Sequence, residues 1–266
     1  MADLSRLSLN TVTLRPQPLG ACIELCARHG ISGIGPWRDK IAEYGLARAT
    51  RHIRDAGLRV SGVCRGGMFT TPGAHADNLR AIDEAAALGA DCLVMVCGGL
   101  PEGSKDLPGA RRMVADGLAA ILPHARACGV KLALEPLHPM TCADRSVLST
   151  TAQALDMAEA LGPEVGVALD VYHIWWDPDL AASVARAAGR IHAFHLCDWL
   201  VPTRDLVFDR GMMGDGVIDL AGIRAMVERA GYTGMIEVEI MSEANWWQRE
   251  VDEVLGVTRE RFEGVC

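Results

Sequence analysis

A chain of 266 residues, half of them hydrophobic and 23% charged, has the size and composition of one large soluble α/β domain with a substantial buried core. No long uncharged apolar run suggests a membrane span, and the N-terminal MADLSRLSLNTVTL lacks the features of a signal peptide, so a cytoplasmic location is expected. A net charge of −8 without a basic stripe argues against nucleic acid as a partner, and nine cysteines without a C-x-x-C pair read as reduced thiols used as small core residues.

Short apolar runs alternate with alanine-rich amphipathic stretches along the whole chain. The runs begin with LSLNTVTL (7–14), GISGIGPW (30–37), LRVSGVC (58–64) and CLVMVCGG (92–99). They continue with VKLALEPL (130–137), VGVALDVYH (165–173), IHAFHLCDW (191–199) and MIEVEIMS (235–242). Helical patterns over 76–90, 110–129 and 149–162 lie between them. Gly30, Gly57, Gly129 and Gly189 stand at or just before strand starts, as helix C-caps leading into short loops do. Eight such units predict a single (β/α)8 TIM barrel over residues 1–266. A doubly wound open sheet fits less well, because no glycine-rich dinucleotide loop follows the first strand.

In this barrel, residues closing the C-terminal ends of strands are placed for chemistry. Four consecutive strands end in metal-ligand side chains: Glu135 in LALE, Asp170 in VALD, His195 in AFH and Glu239 in EVE. Three carboxylates and one imidazole make a mixed oxygen and nitrogen site for one divalent ion, favouring Mn²⁺, Mg²⁺ or Co²⁺ and compatible with Zn²⁺. Taken singly, each acid could instead cap a helix or pair with an arginine. Glu237 and Glu239 face the same way along their strand, with Glu237 one layer deeper, where an acid needs a buried partner. His192 and His195 differ by three and point to opposite sides, which assigns His192 to ordinary packing.

The segments LALEPLHP, ALDVYH, FHLCD, GDGVIDL and IEVEIMSE resemble, in order and spacing, those of the xylose isomerase-like barrels. That superfamily includes hydroxypyruvate isomerase, ketose 3-epimerases, inosose isomerase and dehydratase, and the endonuclease IV repair enzymes. The resemblance covers most of the chain and is strongest from residue 130 onward. It implies that Glu135, Asp170, His195 and Glu239 hold the metal and that Glu135 and Glu239 are also the catalytic acid–base pair. It further implies that His173, three residues after Asp170, contacts substrate oxygen; His138 in EPLHP is a second, looser candidate. The implied activity is isomerisation or epimerisation of a small sugar, keto-polyol or hydroxy-keto acid. A proton alpha to a carbonyl is removed, and the resulting enediolate is stabilised by the metal.

All six tryptophans fall at or just beyond strand C-terminal ends, among them Trp37, Trp175 and Trp246, and suggest an aromatic pocket wall or a subunit interface. The second option is consistent with a homodimer or homotetramer. Arg38, Arg65, Arg204 and Arg210 also lie near this rim, and Arg65, Arg204 and Arg210 are candidates for binding a substrate carboxylate or phosphate. The arginine nearest after His195 is Arg204, nine residues on, farther than in the ketose epimerases, which leaves the substrate open. Asp219 in GMMGDGVIDL reads as a helix cap. The rival readings are a metal-dependent dehydratase of an inosose-like keto-polyol, an endonuclease IV-like phosphodiesterase, and a non-catalytic sugar-binding barrel. The phosphodiesterase would need extra histidines on the early strands, which end without them; the binding barrel would be expected to lack a ligand, and none is missing.

Overall fold

The apolar runs become strands because alternate side chains can be sorted between two environments, and in the computed structural model, which describes residues 3–265, they form one parallel sheet. The elements are β1 (Leu7–Asn10), α1 (Leu19–Arg28), β2 (Gly33–Gly35), α2 (Arg38–Tyr44), α3 (Leu46–Asp55), β3 (Arg59–Val60), β4 (Val63–Gly67), α4 (Ala74–Leu88) and β5 (Leu93–Val96). There follow α5 (Leu107–Cys128), β6 (Leu132–Leu134), α6 (Thr151–Leu161), β7 (Val165–Asp170), α7 (Val171–Ile174), α8 (Leu180–Arg186) and β8 (Ile191–Leu196). The last are β9 (Asp198–Trp199), β10 (Arg210–Gly211), α9 (Leu220–Arg229), β11 (Ile236–Val238) and α10 (Val251–Gly264).

The order in the sheet is β3-β2-β1-β11-β8-β7-β6-β5-β4. The two ends of this list are halves of one expected strand, interrupted at Ser61 and Gly62: β3 pairs with β2, and β4 pairs with β5. A bridge from Trp37 to Cys64 and a hydrogen bond from Cys64 N to Pro36 O (3.1 Å) join the ends. Counting β3 and β4 as one position gives the eight strands of a TIM barrel, as the alternation predicts.

Burial follows strand parity. Leu7, Leu9, Leu93, Met95, Leu132, Leu134, Ile236 and Val238 are buried beneath the helices. Each such side chain contributes about 1.5–3 kcal/mol by leaving water. The residues between them face the lumen, where Cys64, Val94, Ala133, Ala168 and Ala193 form a second, small-residue cluster capped by Trp37. Small side chains there leave room above for polar groups. Helix ends are set by local chemistry: Asp106 caps α5 by accepting from Gly109 N (2.8 Å), and Gly129 ends it at φ 69°. Among the described residues the eight cysteines are unpaired, and no helix is long and apolar enough to cross a membrane.

Several strands stop earlier than the apolar runs suggest. In the first run the chain turns after Asn10, whose side-chain oxygen accepts from Val12 N (2.9 Å). In VALDVYH the Asp170 carboxylate accepts from Tyr172 N (2.9 Å) and starts α7 where the run still looks extended. In IHAFHLCDW the end becomes β9, which pairs antiparallel with β10. That small ladder folds the 200–209 loop back across the rim and fixes Arg210.

Candidate active site

β6, β7, β8 and β11 are neighbours in the sheet, so the groups at their C-terminal ends meet. Glu135, Asp170, His195 and Glu239 are all buried and each offers a ligand atom within 4.8 Å of the others. Both ring nitrogens of His195 are buried without a hydrogen-bond partner, although Glu135 Oε1 lies 3.5 Å from Nδ1. Buried polar atoms are rarely left unspent, and an imidazole beside three carboxylates is the donor set a divalent cation takes. The residues present therefore fit a metal ion.

The electrostatics agree with that fit. Burial disfavours charge on His195, yet Glu237, Glu135 and Glu239 outweigh it and raise the imidazole to about 10. Burial pushes Glu239 up to about 7 despite Arg210 and His195. Asp170 is held low: burial would raise it, but Arg210, His173 and His195 prevail. These carboxylates together set up a field that favours a cation at their centre.

The layer below holds Glu237, which accepts from Asn10 Nδ2 (2.6 Å) and from Ser61 Oγ, giving the deeper acid the buried partners it requires. Asn10 also donates to Glu239 Oε1 (3.0 Å), linking the two layers. At Gly35 on β2 a Cβ would run into the Glu237 carboxylate, so glycine is what lets the strand pass so close.

The remaining candidates separate into those that reach this cluster and those that do not. Arg210 donates from Nη1 to Asp170 Oδ2 (2.8 Å) and Glu239 Oε2 (3.0 Å), and its guanidinium lies over the Tyr172 ring at 4.5 Å. His173 adjoins the same guanidinium, with Nε2 3.3 Å from Arg210 Nη2, and burial lowers it to about 4, leaving it neutral. Its Nδ1 accepts from His138 N (3.1 Å). The His138 ring packs between Trp199 (5.0 Å) and Trp176 (5.7 Å), and Trp175 packs on Trp199 (5.7 Å). Together they form an aromatic wall on one side of the rim.

On the other side is a cavity of about 380 Å³ lined by Trp37, Arg65, Arg145, Met241 and Trp247, among others. Trp246 is not part of it. Its indole is buried below, donating to Asp215 Oδ2 (2.8 Å) with the Arg249 guanidinium 4.1 Å from its ring. Arg204 is likewise turned away: it clasps Asp209 (2.9 Å from Nη2) at the surface, 64% exposed. Arg38 is spent on Asp77 (2.8 Å) and Glu84 (2.5 Å). Asp219 caps α9 by accepting from Gly222 N (2.9 Å). His192 sits at the opposite, N-terminal end of the barrel.

Sequence reasoning passed over Asn10, Tyr172, Cys197 and Arg145. Asn10 closes the first apolar run, so the strand-end rule applied to β1 would have found it. Cys197 Sγ lies 3.8 Å from Arg210 Nη1, a contact visible only once β10 is placed. Arg145 lies in the loop after β6, where no periodicity marks it.

A family profile described as xylose isomerase-like TIM barrel matches residues 23–260. The chain belongs to the xylose isomerase-like TIM barrel family. Within that family it is similar to the crystal structure of protein SMc04130 from Sinorhizobium meliloti 1021, at 56% identity over 99% of each chain with a TM-score of 0.97. It shares its fold with the IolI protein crystallised with a zinc atom, at 21% identity, TM-score 0.82, covering 96% of this chain and 95% of that one. It also shares it with 3-keto-D-glucoside 4-epimerase YcjR from E. coli, at 18% identity, TM-score 0.77, covering 96% and 98%. No curated protein matches the sequence.

Proposed function

We propose that this chain is a metal-dependent isomerase or epimerase that moves a proton alpha to the carbonyl of a small sugar, keto-polyol or hydroxy-keto acid. The observation that carries this reading is the buried Glu135, Asp170, His195 and Glu239 cluster with both His195 nitrogens unspent. A divalent ion held by these four groups would supply positive charge for the substrate oxygens on which negative charge develops.

The chain's own residues do the rest. Glu135 and Glu239 follow the outer strands of the four-strand arc, with Asp170 and His195 between them. One carboxylate takes the C–H proton and becomes a carboxylic acid, leaving an enediolate. Return of that proton to the neighbouring carbon, with the hydroxyl proton passing between the two oxygens, gives isomerisation; a proton given to the same carbon from the opposite face by the other glutamate, itself protonated beforehand, gives epimerisation. Arg210, beside Asp170 and Glu239, is placed to hold a substrate oxygen, and neutral His173 offers a ring nitrogen to the same region. The wall formed by His138, Trp175, Trp176 and Trp199 suits the C–H face of a polyol and keeps water away. The fold likeness to a zinc-bound IolI protein and to a sugar epimerase is in keeping with this reading.

The test is calorimetry with Mn²⁺, Co²⁺, Mg²⁺ and Zn²⁺, followed by NMR detection of C–H exchange of ketoses in D₂O. One site per chain, with exchange lost in Glu135→Gln and Glu239→Gln, is the expected result. Wild-type protein that takes up none of the four ions overturns it.

A further inference from the structure

We infer that the rim cavity lined by Arg65 and Arg145 is an anion subsite, so that the substrate turned over at the neighbouring cluster carries a carboxylate or phosphate group. This inference rests on the catalytic reading above and narrows its substrate class.

Among the described residues neither guanidinium has an ion pair or a side-chain hydrogen bond, although both are half-buried and line the same cavity. Arginine cannot shed its charge, so two such groups in one concave site are a standing cost unless an anion joins them. Among the described residues, no carboxylate lining the cavity pairs with either of them. Arg15 at the cavity edge takes Asp39 for itself (2.8 Å), and Glu243, which also lines the cavity, is exposed and forms no ion pair among the described residues. Other arginines of this chain behave differently: Arg38, Arg186, Arg204 and Arg210 each hold one or two carboxylates. Burial, with Arg65 and Arg210 nearby, holds Arg145 below the ordinary arginine range even though Glu135 and Asp144 pull the other way.

Trp37 Nε1 is buried without a hydrogen-bond partner, and the Trp37 and Trp247 rings both line the cavity. Two free guanidiniums beside two tryptophans match a short polyol ending in an acceptor-rich anion. The cavity's 380 Å³ falls within the range of small-molecule sites. Its position fits as well: Val12 lies two residues past Asn10, Arg65 follows Cys64 of the lumen, and Met241 lies two residues past Glu239. A substrate reaching from the cluster into the cavity would place its carbonyl and its anionic end at these two stations.

The experiment is calorimetric titration of Mn²⁺-loaded protein with D-gluconate, D-fructose 6-phosphate and neutral D-fructose, in wild type, Arg65→Gln, Arg145→Gln and the double variant. One of the two anions is expected to bind at least about tenfold more tightly than fructose, with that advantage lost in the double variant and weakened by added salt. Which anion wins distinguishes a carboxylate from a phosphate. Fructose binding as tightly as both anions, no binding of either anion, or an undiminished preference in the double variant overturns the subsite. Mn²⁺ affinity measured on the same samples separates the two readings. If it is intact while the preference is absent, only the subsite fails; if the wild type binds no metal, the catalytic reading fails first.

Discussion

At the C-terminal ends of the barrel strands, Glu135, Asp170, His195 and Glu239 are buried and turned toward one another. At the N-terminal ends, Arg59, Asp91, Lys131 and His192 border a larger cavity of about 490 Å³. There Arg59 pairs with Asp91 at 3.0 Å, both well exposed, and Lys131 reaches into solvent. The residue types are no less chemical at this second end, and the hollow is bigger. What differs is convergence: the exposed charges at the N-terminal end are screened, and His192, whose Nε2 is also buried without a partner, meets its burial by staying neutral, whereas three buried carboxylates around an unspent imidazole are costly unless a cation joins them. Size of hollow is therefore a poor guide to function in this molecule, and the electrostatic cost of leaving a site bare is a good one.

This contrast can be broken most forcefully at the cluster. Asp170→Ala or His195→Ala is expected to weaken Mn²⁺ binding by more than the roughly 10–100-fold typical of outer-shell partners, since each removes a direct ligand; calorimetry checks it. Next comes Gly35→Ala, which drives a methyl group into the Glu237 carboxylate. A loss of about 1–3 kcal/mol in denaturant unfolding is expected, together with weaker metal binding as Glu237 shifts against His195.

The opposite end yields smaller effects. Burial, helped by Lys131, lowers His192 to about 4, so it stays neutral in the folded chain well below the usual histidine range. Above roughly pH 6.5 both states are neutral, and this residue contributes its full stability. As pH falls from there toward 4, the unfolded chain takes a proton that the folded chain refuses, and stability is lost. His192→Gln should flatten this part of the melting-temperature profile, and an unchanged slope would count against the assignment. The smallest effect belongs to Lys131→Ala and Arg59→Ala, for which turnover and anion binding should stay within about twofold of wild type, as surface substitutions away from a site do.

Much of the fold and of the cluster was legible because both follow from period-two burial and strand direction. Glu135, Asp170, His195 and Glu239 each close an apolar run, and parallel strands in a barrel bring such ends together. The arginines were less legible. Arg204 and Arg210 look alike in sequence, and only the short antiparallel pairing of β9 with β10 sends one into the cluster and leaves the other on Asp209. A two-residue ladder has no periodicity to read. The adjacent tryptophans 246 and 247 present the same difficulty, because a single turn decides which indole is buried against Asp215 and which lines the cavity. Arg145 gave no signal, since its loop is defined by contacts distant in sequence.

The interruption of the third strand position gives the barrel a seam. The four ligand-bearing strands lie in the middle of the hydrogen-bonded order, while β3 and β4, at its two ends, follow one another in the chain across Ser61 and Gly62 and are tied to their neighbours by Ser61 N to Ile34 O (3.1 Å), Asp91 N to Val60 O (2.9 Å) and the Trp37–Cys64 bridge. Trp37 and Arg65 stand at that seam. The reacting groups thus follow uninterrupted strands, whereas the third strand position, beside the cavity, is locally irregular. Sequence drift along the seam could retune which molecules are admitted while the reacting groups keep their places, so relatives sharing the four ligands are expected to diverge first around Trp37 and Arg65.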